Sequence, residues 1–434
     1  MKYHFIGIKG SGMSSLSMLL KDKGELVQGS DVDDYIFTEE ELKKREIPVL
    51  NFDENNFSSE DIIVIGHKFI NSENKEVIKA KKENKYYEYN DFLKEFIENY
   101  YSIAISGSHG KTTITSLVAN MLSEIDECGY LIGDGTSHVS PLSNYFVFEA
   151  CEHKEHFLKY KSDIILINNI DYDHVDYYKS EKAYVNAFYK FVKQAKDKVI
   201  LNGDDLYLDK IKNPFKYGIS ESNDVYAQNI VEDKRGISYD LYYHHKFIKR
   251  LEFPFYGHHM VYNTLASIAV GLYLNLNIEI IEKGIKKFKG VKRRFNETII
   301  DDCVYIDDYA HHPSEIRATL NAVKQKYKDK RIIAFFKGDR YSRVYTFARE
   351  IASALESADE AFVLPFPSCS VKEEGIEIDE TYISLFSERI KSLTELEYKK
   401  LSNYNNCVYV FMSSKNMKEI ENKIIELKIQ LGKQ

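Results

Sequence analysis

The sequence predicts an α/β protein of three successive domains, and three observations carry that expectation. Its 434 residues suffice for about two to four domains. Its composition, 44% hydrophobic and 29% charged, is that of an ordinary globular chain and excludes a disordered or collagen-like one. The chain also falls into three stretches. Each opens with a short apolar run that passes through a loop into helical periodicity, the pattern of strands alternating with helices over a parallel sheet.

In the first stretch, residues 1–95, the run 3–8 reads as a buried strand followed by a glycine-rich turn. Met13, Leu16, Leu19 and Leu20 then recur at helical spacing, and Gly24 is a natural stop. Strands are expected from Leu26 to near Asp31 and over 62–65, which makes a βαβ unit of Rossmann-like type. In the second stretch, residues 96–295, strands are expected over 103–106, 146–149 and 164–167. A helix runs from the loop at 107–112 through Leu122. Residues 216–255 alternate and are rich in Tyr, which suggests antiparallel strands, and 261–274 returns to helix. The third stretch, residues 296–434, shows strands over 304–306, 332–336, 361–364 and 408–411 with helices over 316–326 and 417–427. It reads as a doubly wound, Rossmann-like sheet. Ligands of such sheets sit where strand carboxyl ends meet loops.

Charge and cysteine usage narrow the function. Lys and Arg number 59 against 67 Asp and Glu, a formal charge of -8. No basic surplus or block is available to grip nucleic acid, although a local basic pocket for a phosphorylated small molecule is compatible with this balance. Cys128, Cys151, Cys303, Cys369 and Cys407 form no CxxC pair and read as free thiols in a reducing cytosol. The apolar run 5–8 is too short for a secretion signal and Lys9 follows it closely. No 18-residue apolar stretch predicts a membrane span. A cytoplasmic protein, without membrane or nucleic-acid partners, is expected.

The strongest chemical signal is Gly107-Ser108-His109-Gly110-Lys111-Thr112-Thr113, between an apolar strand and a helix. Glycines there let backbone N–H groups face phosphates at the positive end of the helix. Lys111 would reach the β- and γ-phosphates and the Thr112 hydroxyl would meet Mg²⁺. The middle stretch therefore reads as a P-loop ATPase-like mixed sheet, and an ordinary βα turn is the weaker reading. Glu149 and His174 follow buried strands of the same stretch and are either metal ligands or caps. Asp171, Asp173 and Asp176 around His174 suit a metal cluster or, more commonly, turn capping.

The first loop, Gly7-Ile8-Lys9-Gly10-Ser11-Gly12, has the context of a dinucleotide fingerprint, but Lys stands at 9 where that register wants Gly. It suits any diphosphate. Asp31 ends the next strand, where a ribose or base contact or simple solvation is expected. Arg293 and Arg294 at a domain junction suit phosphate or surface salt bridges. Asp307-Asp308-Tyr309-Ala310-His311-His312-Pro313 is too rich in titratable groups for a casual loop. Arg340 and Arg343, three apart at the expected start of a helix, suit a carboxylate or phosphate. The pairs His244-His245 and His258-His259 lack further ligands and read as surface or ordinary packing.

In this order the segments resemble the Mur ligases of peptidoglycan synthesis, most closely their alanine-adding, Gram-positive type. HFIGIKGSGMS, the GSD at Gly29–Asp31, GSHGKTT, FEACEHKEHFL, NNIDYDHVDYY, HHMVYNTLA, GVKRRF, DDYAHHPSEI and DRYSR carry the likeness over nearly the whole chain. The resemblance implies a UDP-sugar domain (1–95), an ATP-binding domain (96–295) and an amino-acid domain (296–434). It implies ATP and Mg²⁺ as cofactors, with UDP-N-acetylmuramate and L-alanine as substrates. By the family's pattern, Thr112, Glu149 and His174 would hold Mg²⁺. Asn263 would contact adenine and Arg294 the ATP phosphates. Gly7, Gly10, Ser11, Gly12, Asp31 and His67 would serve the uridine nucleotide. Tyr309 and His311 would line the amino-acid pocket, with Arg340 and Arg343 on its carboxylate; Lys111, His174, Arg340 and Arg343 would carry catalysis. This sequence departs from the pattern at Lys9, at Met260 in place of an Asn, and at Lys337-Gly338-Asp339 in place of Gln-Pro-His. The last departure opens the identity of the amino acid. A related ligase with another amino acid or muramyl substrate, and a nucleotide-binding regulatory homologue, are the competing expectations.

Overall fold

A computed structural model describes residues 1–34, 36, 38–366, 386 and 389–431; Cys369 lies outside them. The described chain forms three sheets, distributed over two compact units. One unit comprises Met1–Asp171, Val185–Val225 and Asn263–Phe288. The other comprises Tyr172–Tyr184, Tyr226–Tyr262 and Lys289–Gln434.

The first unit holds two sheets. One has five parallel strands in the order Val49–Leu50, Leu26–Ser30, Lys2–Ile6, Ile62–Ile65 and Tyr86–Glu88. Phe5, Ile6, Ile63, Val64 and Ile65 are fully buried, as both-face burial of a parallel strand requires. Chain order reverses beside Lys2–Ile6, so its carboxyl end opens the 7–12 loop at a topological switch point. Helix Ser11–Asp22 follows and buries Met13, Leu16, Leu19 and Leu20, the periodic residues of the sequence.

In this unit's other sheet, parallel strands run Phe215–Gly218, Lys198–Asn202, Ile164–Ile167, Tyr101–Ser106, Tyr145–Glu149 and Gly129–Leu131. Ser137–His138 adds an antiparallel edge, so the sheet is mixed. Phe215–Gly218 corrects the sequence reading, which made everything from 216 antiparallel: Phe215 pairs in parallel with Ile200. Alternation reports which face is buried and carries no strand direction. Ser137 Oγ donates to Ser15 O at 2.8 Å, and Arg45 Nη2 donates to Ser137 O at 2.8 Å, tying the two sheets of this unit together.

The second unit holds the antiparallel pair Gly236–Tyr243 and Lys246–Phe253 and a six-stranded sheet. Its order is Asn296–Ile300, Cys303–Asp308, Cys407–Met412, Arg331–Lys337, Glu360–Leu364 and Ile390–Ser392. Only the first pairing is antiparallel. Val304 and Ile306 pack with Ile316, Leu320 and Val323, while Tyr305 and Cys303 pack with Leu401, Tyr409 and Phe411. Both faces are therefore covered. The central strands end at Asp308, Met412 and Lys337, which sets the loops 309–312, 413–415 and 338–340 side by side.

Candidate active site

In the first unit, the buried strand Tyr101–Ser106 delivers the 107–113 loop to helix Lys111–Leu122. Gly107 has φ 134 and Gly110 has φ 84, conformations that side chains disfavour. A Cβ on Gly110 would lie 2.7 Å from both Asn168 Nδ2 and Asn263 Oδ1. Glycine thus supplies the turn and admits two amides against it. Asn168 Nδ2 donates to His109 O at 3.0 Å, and Tyr217 Oη donates to Asn168 Oδ1 at 2.7 Å. Asn263, on helix His259–Tyr273, is 2% exposed. The first-turn N–H groups at Lys111, Thr112 and Thr113 have no intrahelical acceptor and suit an anion.

Lys111 folds back over this loop. Its Nζ donates to Gly107 O at 2.5 Å and Ser108 O at 3.0 Å, and pairs with Glu152 Oε2 at 2.9 Å. Burial would push this ammonium down, but Glu152 outweighs it and the pKa is raised, so the lysine stays charged. His109 Nε2 lies 2.9 Å from Asp171 Oδ2, while Ser108 Oγ accepts from Asp171 N at 2.8 Å. Glu149 closes its strand and accepts from Gly133 N at 2.7 Å; a Cβ on Gly133 would come within 2.5 Å of Glu149 Oε1. The glycine therefore leaves room for a carboxylate that the strand end presents.

At the other loop of this unit, Gly7 has φ 85, and Gly10 caps helix Ser11–Asp22, with Ser11 and Gly12 in its first turn. Asp31 is 6% exposed and not merely solvated: it accepts from Lys9 N at 2.6 Å and Val32 N at 2.8 Å. Lys9 Nζ donates to Val32 O at 2.6 Å and pairs with Glu39 at 2.8 Å. The extra cation is thus directed to Val32, Asp34 and Glu39. His67 is exposed beyond strand Ile62–Ile65. Its ring is 5.2 Å from that of His156, and its Nε2 is 3.3 Å from Lys154 Nζ.

The second unit carries the candidate arginines of the site. Arg343, 3% exposed, donates from Nε to Asp173 Oδ1 at 2.9 Å, from Nη2 to Asp173 Oδ2 at 3.2 Å and from Nη1 to Asp339 Oδ1 at 2.8 Å. Burial opposes its charge, and Asp173 and Asp339 more than restore it. Burial would raise the Asp339 carboxyl, yet Arg343, His311 and Ser414 hold it down at about 2. Ser414 Oγ donates to Asp339 Oδ2 at 2.7 Å. Arg340 pairs with Asp176. The three aspartates around His174 are thus anion partners of His109, Arg343 and Arg340. His174 itself adopts φ 53.

Beside them, Arg294 Nη1 is 3.2 Å from Glu315 Oε1. Tyr309, 37% exposed, has Arg293 and Arg294 at 5.4 and 5.1 Å from its ring centroid. His311 Nδ1 is 2.8 Å from Tyr309 O and 3.2 Å from Glu315 Oε2; burial lowers its pKa despite that carboxylate. Met260 is buried, 7% exposed, so this departure fills core. His258 is exposed and pairs with Glu232 at 2.6 Å, the surface role among the two expected. The sequence reading did not single out Glu152, Asn168 or Ser414. The available signal for Glu152 was its place three residues after a strand-ending acid.

The chain is a three-domain α/β protein with a glycine-rich strand-to-helix loop and an arginine pair held by carboxylates. Residues 2–101 match the Mur ligase family catalytic domain, 105–271 the Mur ligase middle domain and 293–406 the Mur ligase glutamate ligase domain. The chain belongs to the Mur ligase family. The fold is similar to that of the UDP-N-acetylmuramate-alanine ligase of Thermotoga maritima, with TM-score 0.79, 23% identity and 98% of each chain covered. It is similar to a murein peptide ligase of Psychrobacter arcticus, with TM-score 0.73, 22% identity, 99% of this chain and 98% of that one. A pseudomurein peptide ligase type C of Methanothermus fervidus also matches, with TM-score 0.67, 20% identity, 98% of this chain and 99% of that one. Among the described residues no helix is long and apolar enough to cross a membrane.

Proposed function

We propose that this chain is an ATP-dependent ligase that joins L-alanine, or in the competing reading another amino acid, to the lactyl carboxylate of UDP-N-acetylmuramate. The observation that carries the reading is Lys111, held charged on a glycine-shaped loop at a helix N-terminus. A carboxylate is a poor electrophile, and phosphorylation gives it a leaving group. A carboxylate oxygen attacks the γ-phosphorus, the bond to the β-phosphate oxygen breaks, and ADP departs. The amine nitrogen then attacks the acyl carbon, phosphate leaves, and the nitrogen loses a proton to give the amide.

Positioning and charge compensation supply most of such catalysis. In this reading the 107–113 backbone binds the triphosphate, and Lys111 exchanges its loop carbonyls and Glu152 for phosphate oxygens. Asn263 faces adenine, Arg294 a phosphate, and the 7–12 loop with Asp31 and His67 the uridine nucleotide. Tyr309, His311, Arg340 and Arg343 belong to the acceptor pocket. Thr112, Glu149 and His174 are proposed Mg²⁺ ligands; hydroxyl, carboxylate and imidazole can all ligate it, and Gly133 leaves Glu149 room. Mg²⁺ would offset charge on the transferring phosphoryl group. The three matched segments support domains at 1–95, 96–295 and 296–434, and a cytoplasmic setting goes with the substrates.

Phosphate release from ATP and Mg²⁺ should require UDP-N-acetylmuramate and an amino acid together, with the amide confirmed by product mass. No release with UDP-N-acetylmuramate and any of the standard amino acids would sink the reading.

A further inference from the structure

We propose that Asp339 determines acceptor specificity, biasing the pocket toward amines of net positive charge. This rests on the ligase reading above and extends it to the class of acceptor. All three nitrogens of the Arg343 guanidinium already meet carboxylates: Nε and Nη2 face Asp173, and Nη1 faces Asp339. Arg343 is 3% exposed and Asp173 6% exposed, so water screens this group weakly. With Arg340 on Asp176, these five groups set two guanidiniums against three carboxylates, one negative charge among them.

An arginine fork recognises a carboxylate by two parallel N–H bonds. Here Asp173 takes the edge formed by Nε and Nη2, and Asp339 takes Nη1, so an incoming carboxylate must compete with anions already in place. Asp339 is itself fixed, because Ser414 Oγ donates to its other oxygen at 2.7 Å. An approaching ammonium meets the opposite field. A zwitterion loses at one end what it gains at the other, whereas an acceptor without a carboxylate charge, or with a second ammonium, only gains. Removing the Asp339 charge shifts the local balance to zero and should remove the bias.

The test compares L-alanine with L-alaninamide, which keeps alanine's size and removes the carboxylate charge. First, UDP-N-acetylmuramate, ATP, Mg²⁺ and hydroxylamine are mixed with the wild-type chain. Acyl hydroxamate shows that the carboxylate is activated; its absence defeats the ligase reading on which the inference rests. The ratio of kcat/KM for L-alaninamide over L-alanine is then measured in wild type, Asp339→Asn and Asp339→Glu. We expect the wild-type ratio to exceed one. It should fall about tenfold in Asp339→Asn, the scale set by one unit charge at a partly screened site, and be kept in Asp339→Glu. If Asp339→Asn does not fold, Asp339→Ser supplies the neutral side chain. A wild-type ratio below one, or a ratio unchanged within about twofold by the neutral variant, overturns the proposal while hydroxamate formation leaves the ligase reading standing.

Discussion

The pair formed by Lys111 and Glu152 places a charge where phosphate is proposed to bind and keeps it from standing alone. Glu152 is 1% exposed, and taking a cation away from a buried carboxylate is costly. We therefore predict two effects of Lys111→Ala. Turnover should be abolished, because nothing else on the loop carries the cation to the γ-phosphate. Stability should drop by about 1–3 kcal/mol, and Lys111→Ala/Glu152→Ala should recover part of that loss in urea titrations. Additive losses would contradict the pairing. His156 gives a pH prediction. Burial, then repulsion from the neighbouring His67, His153 and Lys154, pushes it down to about 4, while an unfolded imidazole titrates near 6.5. Between those values the unfolded chain binds a proton that the folded chain refuses, so stability falls as pH drops from about 6.5 to about 4. His156→Gln should flatten that part of the curve by about 1–2 kcal/mol, discounted for partial exposure; equal urea midpoint slopes in both proteins would refute it. Lys111 was legible in sequence because its glycines, lysine and threonine sit between strand and helix. The roles of Glu152 and Asp173 were not, because an acid's partner is fixed by which strand ends lie side by side. Asp339 was visible as a departure, and only the structure shows it on Arg343.

At the level of elements, the loop between strand Tyr101–Ser106 and helix Lys111–Leu122 concentrates the constraint. Gly110→Ala combines a positive φ with a Cβ 2.7 Å from two amide groups. Strain of this kind costs about 1–2 kcal/mol, and relief would move Asn168 or Asn263. We predict a lower melting temperature and loss of ATP-dependent thermal stabilisation; a variant still stabilised by ATP to the wild-type extent would show that the turn tolerates a side chain. The strands that open each third of the chain were readable because full burial makes them continuous apolar runs. The edges Val49–Leu50, Gly129–Leu131 and Ser137–His138 are too short to have a period. Helix Tyr341–Thr346 begins where expected, yet it turns Arg343 inward to 3% exposure, a burial possible only with the carboxylates that surround it.

Across the whole molecule, chain order and compactness diverge. The chain passes between its two units at 171/172, 184/185, 225/226, 262/263 and 288/289, so neither unit is one continuous segment. The sequence reading divides the chain near residue 295, a boundary drawn from the pattern of strands and helices, which cannot see contacts between distant segments. Gln325 shows what such a cut would break. Its Oε1 accepts from Gly257 N at 2.6 Å, and its Nε2 donates to Asp233 O at 3.0 Å and Gly236 O at 2.9 Å. All four residues belong to the second unit, but they come from two of its segments. Three backbone polar groups in and beside the 236–253 strand pair therefore depend on a side chain beyond residue 295, and a buried group left unsatisfied costs about 1–3 kcal/mol. We predict that a fragment of residues 1–288 aggregates or loses cooperative thermal unfolding. Gln325→Leu in the full chain should lower stability by about 2–4 kcal/mol, summed over groups that solvent partly rescues. Size-exclusion chromatography and calorimetry read both. If the fragment were monomeric, with a sharp transition near that of the full chain, the 226–262 segment would be shown to fold without residues 289–434, and the division near 295 would describe autonomous domains.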